Sequence, residues 1–328
     1  MVDVTTIDNL NLNNITKDDF IVKFGSPDSK GVHLINDEKL DLFYYFSMGG
    51  DIHIGLTTMI GLSDKASMKA DLGRMLASFD GQGVLRHLYG FSRIYEDPTY
   101  EFPENIPMSK LANKIVLGKT SLSVIYEIFG QPLAKGRRFN KDKNIDHPAL
   151  YYEGGTGDGG MWMVIGYDKN NIIQDIIWTS NDPKDIEGFI KLAPEITTDI
   201  TGIKSDLGQS VIFKTITSTK KFDDPAKIKI LMKRNPKTFS DIKNVLGDPI
   251  AVGFKNVKEE DSMIIANYVK DEIELTGAKE TSYILPSERK KGVTEGKPYF
   301  IVKTLEAFFM CSFDEEENLK EIMWVEVQ

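Results

Sequence analysis

The apolar and polar positions of this chain follow a pattern that occurs three times. A Ser or Thr is followed by an apolar residue at offset four, a Gly at offset nine and a Pro at offset eleven. Ser and Thr are preferred helix N-caps, the apolar residue one turn later faces a core, and Gly followed by Pro ends a helix. Each occurrence therefore predicts one short helix. The three sets are Thr16, Phe20, Gly25 and Pro27, then Ser121, Ile125, Gly130 and Pro132, then Thr238, Ile242, Gly247 and Pro249.

Two of the three predicted helices carry an acidic residue that suits a reinforced cap. Asp19 lies three residues after Thr16, and Asp241 lies three residues after Thr238. A carboxylate at this position accepts a hydrogen bond from the backbone N–H of the capping residue. The middle segment has Val124 there instead. We therefore expect capping boxes in the first and third helices.

A second pattern predicts a β-hairpin at the end of each segment. An apolar run ends in an aromatic residue and an Asp, a polar loop follows, and a second apolar stretch comes next. An aromatic-rich strand precedes each hairpin. Each unit is thus a helix followed by an antiparallel sheet of about four strands. The aromatic and Asp pairs are Phe79-Asp80, Tyr167-Asp168 and Phe313-Asp314, and the aromatic strands lie at residues 42–46, 150–152 and 263–269.

These segments predict an α+β protein made of three tandem helix-plus-antiparallel-sheet repeats. Repeat 1 covers residues 1–100, with a helical insertion near residues 57–72, and repeat 2 covers residues 105–182. A connector covers residues 183–221, in which 211–217 is interpreted as a strand, and repeat 3 covers residues 222–328. Because a helix covers only one face of a sheet, the other face is expected to meet solvent or a partner.

The order of these motifs resembles that of a known family. Each predicted helix ends in Phe-Gly-x-Pro or Leu-Gly-x-Pro, aromatic strands follow, and two of the hairpins close on Trp178 and Trp324. The chain is similar in this to the SmpA/OmlA small outer-membrane lipoproteins and to the tandem domains of the beta-lactamase inhibitor protein (BLIP-like repeats). The resemblance implies a helix-on-sheet fold and a binding role without a cofactor. The chain departs from the family in having three copies and no lipoprotein Cys at its start.

Composition places the chain among ordinary soluble globular proteins, since 41% of its 328 residues are hydrophobic and 27% are charged. A net charge of -9 argues against general affinity for nucleic acid, which depends on dense Lys and Arg. We expect no membrane-spanning segment, because no run of about eighteen apolar residues occurs. The N-terminus lacks the pattern of a signal peptide. The compartment stays open between the cytoplasm and, if a signal segment was removed, the periplasm or the exterior.

Histidine and cysteine occur in no spacing that is typical of a metal or catalytic site. The single cysteine, Cys311, alternates with Phe309 and Phe313 along a strand, which predicts a small buried hydrophobe. The segment 154–160 is rich in Gly but lacks the Lys-Ser/Thr ending of a phosphate loop, and we interpret it as a hairpin loop. The four histidines are His33, His53, His87 and His147.

One position is polar in all three segments. His87 stands where the second and third segments carry Asp175 and Glu321. A position that stays polar while its identity changes predicts an exposed strand face rather than a proton-transfer site. The sequence therefore predicts no catalytic, cofactor or metal-binding residue.

Two hypotheses for function follow from these patterns. The first is a non-enzymatic protein-binding or inhibitory module that contacts a protein partner of unknown identity through aromatic-rich sheet faces, since interface anchors are enriched in Tyr, Trp and Arg. The second is a hydrolase or a small-ligand-binding protein with a site at a junction between repeats. Because side chains alternate between the two faces of a strand, the sequence leaves open which face is exposed. In the alternative to a binding role, each Trp is buried under the helix of its own repeat. The candidate partner-binding residues are Tyr45, Tyr152, Gln174, Trp178, Lys320 and Trp324.

Overall fold

The computed structural model describes most of the chain and is dominated by β-strands. Within this part every helix is too short or too polar to cross a bilayer. The described residues are 10–27, 29–49, 71–93, 115–132, 134–154, 161–192, 205–217, 226–258, 260–269, 272–276, 282–283, 297–298, 301–305 and 308–326. The helices are α1 (Lys17–Phe24), α2 (Leu122–Phe129), α3 (Pro183–Leu192), α4 (Val211–Lys214), α5 (Ala226–Arg234) and α6 (Phe239–Leu246), with 3₁₀ turns at Leu12–Asn14, Ser205–Gln209 and Thr215–Thr217.

The strands fall into one large barrel and two short pairs. The barrel strands are β1 (Ser29–Ile35), β2 (Glu38–Gly49), β3 (Asp71–Phe79), β4 (Leu85–Arg93), β5 (Ala134–Asn140), β6 (Ile145–Gly154), β7 (Met161–Tyr167), β8 (Ile173–Ser180), β9 (Ala251–Val257), β10 (Met263–Val269), β15 (Phe308–Phe313) and β16 (Leu319–Glu326). The pairs are β11 (Glu272–Thr276) with β14 (Ile301–Leu305), and β12 (Ser282–Tyr283) with β13 (Lys297–Pro298).

The barrel is closed and antiparallel, in the order β1-β16-β15-β10-β9-β8-β7-β6-β5-β4-β3-β2, and β2 pairs with β1 again. The prediction of three tandem BLIP-like helix-plus-sheet repeats was therefore wrong. The last strand of each predicted repeat bonds to the first strand of another, in the pairs β4 with β5, β8 with β9 and β16 with β1. Separate sheets would leave edge strands with unpaired N–H and C=O groups, and closure removes those edges.

The three predicted capped helices are present as α1, α2 and α6. Thr16 and Thr238 each accept a hydrogen bond from the N–H of the Asp three residues later, and that Asp bonds back to the cap N–H. Both predicted capping boxes are thus confirmed. Ser121 makes no side-chain cap bond, and its hydroxyl lies 2.7 Å from that of Ser123 instead. All three helices end at the predicted Gly, whose φ is positive.

The predicted hairpins are confirmed as β3 with β4, β7 with β8 and β15 with β16. The three hairpin turns share one geometry, which explains the Asp that follows each aromatic residue. Oδ1 of Asp80, of Asp168 and of Asp314 accepts a hydrogen bond from the backbone N–H four residues later, at 2.8 to 3.0 Å. Each hairpin also has a register shift at the residue pair just before this Asp. The Asp side chain therefore holds the same turn in all three hairpins.

The connector differs from its prediction. Residues 211–217 form α4 and a 3₁₀ turn, so the predicted strand there was wrong. Ser210 caps α4 by accepting the N–H of Ile212 at 3.1 Å, and Glu317 accepts the N–H of Val211 at 2.8 Å. These two bonds, one from within the segment and one from the distant Glu317, satisfy the first helical N–H groups, which favours a helix over a strand. The predicted helical insertion lies outside the described residues, except for two positions in β3.

The outer face of the barrel is covered by the helices. Phe20 and Phe24 of α1 pack on outward side chains such as Tyr45 and Phe79. A larger outer cluster joins α2, α3, α4, α5 and α6 to the remaining strands, with Trp178 fully buried in it. The sheet face under each helix is therefore the hydrophobic core.

The opposite face points into the barrel. Nine buried apolar residues of this face form a cluster drawn from strands alone. Neighbouring strands approach very closely where segments join, since a Cβ on Gly31 would lie 1.8 Å from Trp324 O and one on Gly253 would lie 1.7 Å from Trp178 O. Only Gly fits such an approach of two backbones. The cluster consists of Leu42, Tyr44, Ala149, Val164, Ile177, Ile265, Met310, Met323 and Val325.

Candidate functional site

A layer of charged side chains lies inside the barrel, toward the end where the hairpin turns are found. Its centre is Glu321 of β16, which is 3% exposed. Glu321 accepts a hydrogen bond from Lys255 Nζ at 3.1 Å and lies 2.8 Å from His33 Nε2. His33 Nδ1 lies 2.8 Å from Ser78 Oγ, and Ser312 Oγ lies 3.3 Å from Glu321. Strands from opposite ends of the chain thus meet in one buried ionic network.

A second centre of this layer is Asp175 of β8, which is fully buried. Its carboxylate pairs with the Arg138 guanidinium and lies 2.6 Å from His147 Nε2. It also accepts the backbone N–H of Gly166 at 3.2 Å. A Cβ on Gly166 would lie 2.4 Å from His147 Nε2 and 2.5 Å from Asp175, so Gly leaves the space that this pair occupies.

The charged state of the layer follows from these contacts. Burial alone would raise the pKa of Glu321, but Lys255 and His33 lower it well below its ordinary value. Burial would likewise raise the pKa of Asp175, whereas Arg138 and His147 lower it. Burial would lower the pKa of Lys255, and Glu321 raises it. The carboxylates of Glu321 and Asp175 are therefore ionised at neutral pH, and Lys255 and Arg138 carry positive charges.

His87 belongs to the same interior layer, so the prediction of an exposed face at this position was wrong. His87 is 3% exposed, and Asp175 and Glu321 at the equivalent positions are buried as well. Burial first, and then the nearby His33, lower the pKa of His87 to about 3. The two imidazole centroids are 4.9 Å apart. The position is thus polar in all three segments although it is buried inside the barrel in each of them.

The sequence carries a signal for this layer, at fixed distances from the helix caps and from the turn Asp residues. His33, Arg138 and Lys255 each lie seventeen residues after the capping residue of their segment. Asp175 and Glu321 each lie seven residues after the turn Asp, as His87 does. The three segments therefore share a basic or imidazole residue at one fixed position and a polar residue, acidic in two of them, at another. The polar position on the hairpin strand was visible from the sequence, but its basic partners were not paired with it, because only the closed barrel brings these strands together.

Two adjoining cavities lie at the turn end of the barrel. The larger has a volume of about 720 Å³, and its lining includes the buried side chains of Arg138, Lys255 and Glu321. The smaller, of about 430 Å³, is lined in part by His147 and Gln174. Residues of several hairpin turns form the rim of the larger cavity. Its other lining residues are Ile35, Asn36, Asn140, Lys143, Glu260, Asp261, Ser262, Met263, Asp314, Glu315, Glu316 and Lys320.

The structure separates the predicted partner-binding residues into two groups. Tyr45, Tyr152 and Trp178 are buried under the helices, and Trp324 is half-buried against the same outer core. The two Tyr hydroxyls each donate to the carbonyl of a helix C-cap Gly, Gly25 or Gly130, at 3.2 Å. These aromatic side chains therefore stabilise the attachment of helices to the barrel.

The remaining two predicted residues line the cavities. Gln174 donates to Asp168 Oδ2 at 3.0 Å on the wall of the smaller cavity. Lys320 pairs with Asp314 at 3.0 Å on the rim of the larger one. Whether either residue contacts a protein partner stays a prediction.

The described residues contain no group of three or more His, Cys, Asp and Glu side chains placed to hold a metal ion. His53 lies outside the described residues. Cys311 is buried on the outer face of β15, and burial raises the pKa of its thiol well above the ordinary value. A thiol in this state is a poor nucleophile. Comparisons with protein-family models, curated proteins and solved structures find no match to this chain.

Proposed function

We propose that this protein binds a small polar molecule in the larger cavity at the turn end of its barrel. The observation that carries the proposal is the set of buried charges, Arg138, Lys255 and Glu321, that line this cavity. Buried ion pairs are expensive to desolvate, and apolar side chains of similar size would often stabilise a core as well or better. Charges retained beside a cavity are consistent with recognition of a ligand.

The size and composition of the cavity support the same proposal. A volume of about 720 Å³ lies within the range of small-molecule sites. The Lys255 ammonium has three N–H donors, and among the described contacts one of them binds Glu321. A bound molecule with hydrogen-bond acceptors would satisfy donors that face the cavity. This function corresponds to the second hypothesis from the sequence, a ligand site formed where segments meet.

The alternative of a protein partner bound by aromatic sheet faces has less support in this fold. One face of the barrel sheet is covered by helices, and the other points inward. Tyr45, Tyr152 and Trp178 would have to leave the core to contact a partner. The resemblance to SmpA/OmlA proteins and to the beta-lactamase inhibitor protein stays a prediction, and no step of the present proposal depends on it.

A thermal-shift screen of polar metabolites tests the proposal. We expect at least one compound to raise the unfolding midpoint of the wild-type chain, since a ligand that binds only the folded state stabilises it. Glu316→Trp places a bulky ring at the rim and should remove the shift. Glu127→Trp, an equally exposed position on α2, is the matched control and should keep it. Absence of any stabilising compound, or an equal shift in both variants, would refute the proposed site.

A further inference from the structure

The inner wall of the barrel changes in character beyond the charged layer, on the side away from the hairpin turns. Leu76 of β3 lies opposite Tyr89 of β4, and Tyr151 of β6 and Trp162 of β7 lie further from the turns. These four side chains pack against the inner cluster of nine apolar residues. This part of the lumen is thus lined by apolar side chains and aromatic rings.

The side chains that line this part of the lumen do not fill it. The same four residues point inward and are nevertheless only half-buried, so solvent still reaches them. An eight-stranded barrel is just wide enough for its interior side chains to fill, and the diameter grows with the number of strands. The twelve strands of this barrel therefore enclose more space than the inner cluster occupies.

Two buried polar side chains in the same wall lack a hydrogen-bond partner among the described residues. They are Thr179 of β8, through its Oγ1, and Asn267 of β10, through its Oδ1. Thr179 is fully buried and lies opposite Trp162, and Asn267 is 6% exposed. Thr179 alternates with Ile177, and Asn267 with Ile265, which both belong to the inner cluster, so both polar side chains point into the lumen. A buried polar atom without a partner is costly, and a polar group of a ligand would remove that cost.

We propose that the lumen beyond the charged layer binds a small molecule that combines an apolar ring system with a hydroxyl group. The rings pack on the aromatic wall near Trp162, and the hydroxyl forms a hydrogen bond with Thr179 or Asn267. Pockets for small molecules combine in the same way an apolar lining with a few placed polar groups. This site is separate from the larger cavity at the turn end, whose lining is mostly charged and polar.

Displacement of the fluorescent probe N-phenyl-1-naphthylamine tests the proposal. The probe should become brighter when it enters the lumen of the wild-type chain, and both 2-naphthol and 2-methylnaphthalene should displace it. These two competitors have nearly the same shape, but only 2-naphthol has a hydroxyl group. In the variant Thr179→Val/Asn267→Leu the affinity of 2-naphthol relative to 2-methylnaphthalene should fall about fivefold, which corresponds to about 1 kcal/mol, the contribution of one neutral hydrogen bond. The fold should persist, because neither side chain makes a hydrogen bond among the described residues.

Three single variants locate the bound probe. Leu76→Trp adds bulk inside the lumen and should weaken binding of the probe about tenfold or more. Val22→Trp adds the same kind of bulk at an exposed position of α1 and should leave binding unchanged. Glu316→Trp, at the rim of the larger turn-end cavity, should leave it unchanged as well.

The proposal is overturned if the wild-type chain does not bind the probe, or if Glu316→Trp weakens binding as much as Leu76→Trp does. An unchanged ratio of the two competitors in Thr179→Val/Asn267→Leu would overturn the assignment of the hydroxyl group. The screen of polar metabolites reports on the turn-end cavity, so the two sites succeed or fail independently.

Discussion

The buried His87 should make the stability of the protein fall as the pH decreases below about 6.5. Burial and the neighbouring His33 lower its pKa from 6.5 to about 3. The folded chain therefore keeps this imidazole neutral, whereas the unfolded chain protonates it. A group whose folded pKa is depressed contributes stability above its unfolded pKa, and that stability is lost as the pH falls toward the folded pKa. The pH window for His87 is thus from 6.5 down to about 3.

The magnitude follows from the two pKa values. From about pH 7.5 to about pH 5, the contribution of His87 to the free energy of unfolding should fall by about 2 kcal/mol. His87 Nε2 has no hydrogen-bond partner among the described residues, and the nearby Glu321 offsets only part of the lowering of the pKa.

Urea unfolding of the wild type and of His87→Leu at the two pH values measures this contribution directly. The Leu side chain fills a similar buried volume but does not titrate. The loss of unfolding free energy on acidification should be about 2 kcal/mol smaller in His87→Leu than in the wild type. Equal pH dependence in the two proteins would refute the assignment of a depressed pKa to His87, because the other titrating groups are common to both.

Three further predictions concern the barrel and its helices. Lys255→Met or Glu321→Gln alone should each lower the free energy of unfolding by about 3 to 5 kcal/mol, since each leaves a buried partner uncompensated. The double variant Lys255→Met/Glu321→Gln should cost less than the sum of the two single variants, and additive costs in urea unfolding would contradict a direct pair. Gly253→Ala should destabilise the chain by about 3 kcal/mol or more, because its Cβ meets a backbone carbonyl, and an unchanged thermal midpoint would contradict that approach. Thr238→Ala should lower the free energy of unfolding by about 1 kcal/mol and Ser121→Ala by clearly less, because only Thr238 makes a side-chain cap bond. Thermal melts followed by circular dichroism measure both variants, and a larger loss of stability in Ser121→Ala would contradict this reasoning.

Local structure was predictable from the sequence because it depends on neighbouring residues. Thr16 and Asp19 form a capping box through bonds that span three residues, and Gly25 ends the same helix. Asp80 holds its hairpin turn by a bond to the N–H of Val84, four residues away. The pattern of cap, apolar residue, Gly and Pro therefore determined the three helices, and the aromatic-Asp pairs determined the three hairpins.

The closure of the barrel was decided only by the tertiary structure. Each four-stranded segment is equally compatible with a separate sheet, because the residues that bond β16 to β1 lie almost 300 positions apart and show no local signal. The same closure decided that the polar face is an interior. His87, Asp175 and Glu321 look like an exposed stripe along single strands, and they become buried only because other strands complete the wall around them. The sequence by itself determined the elements and their turns, whereas the long-range strand pairing decided which of their faces is core, which is interior and where the cavities lie.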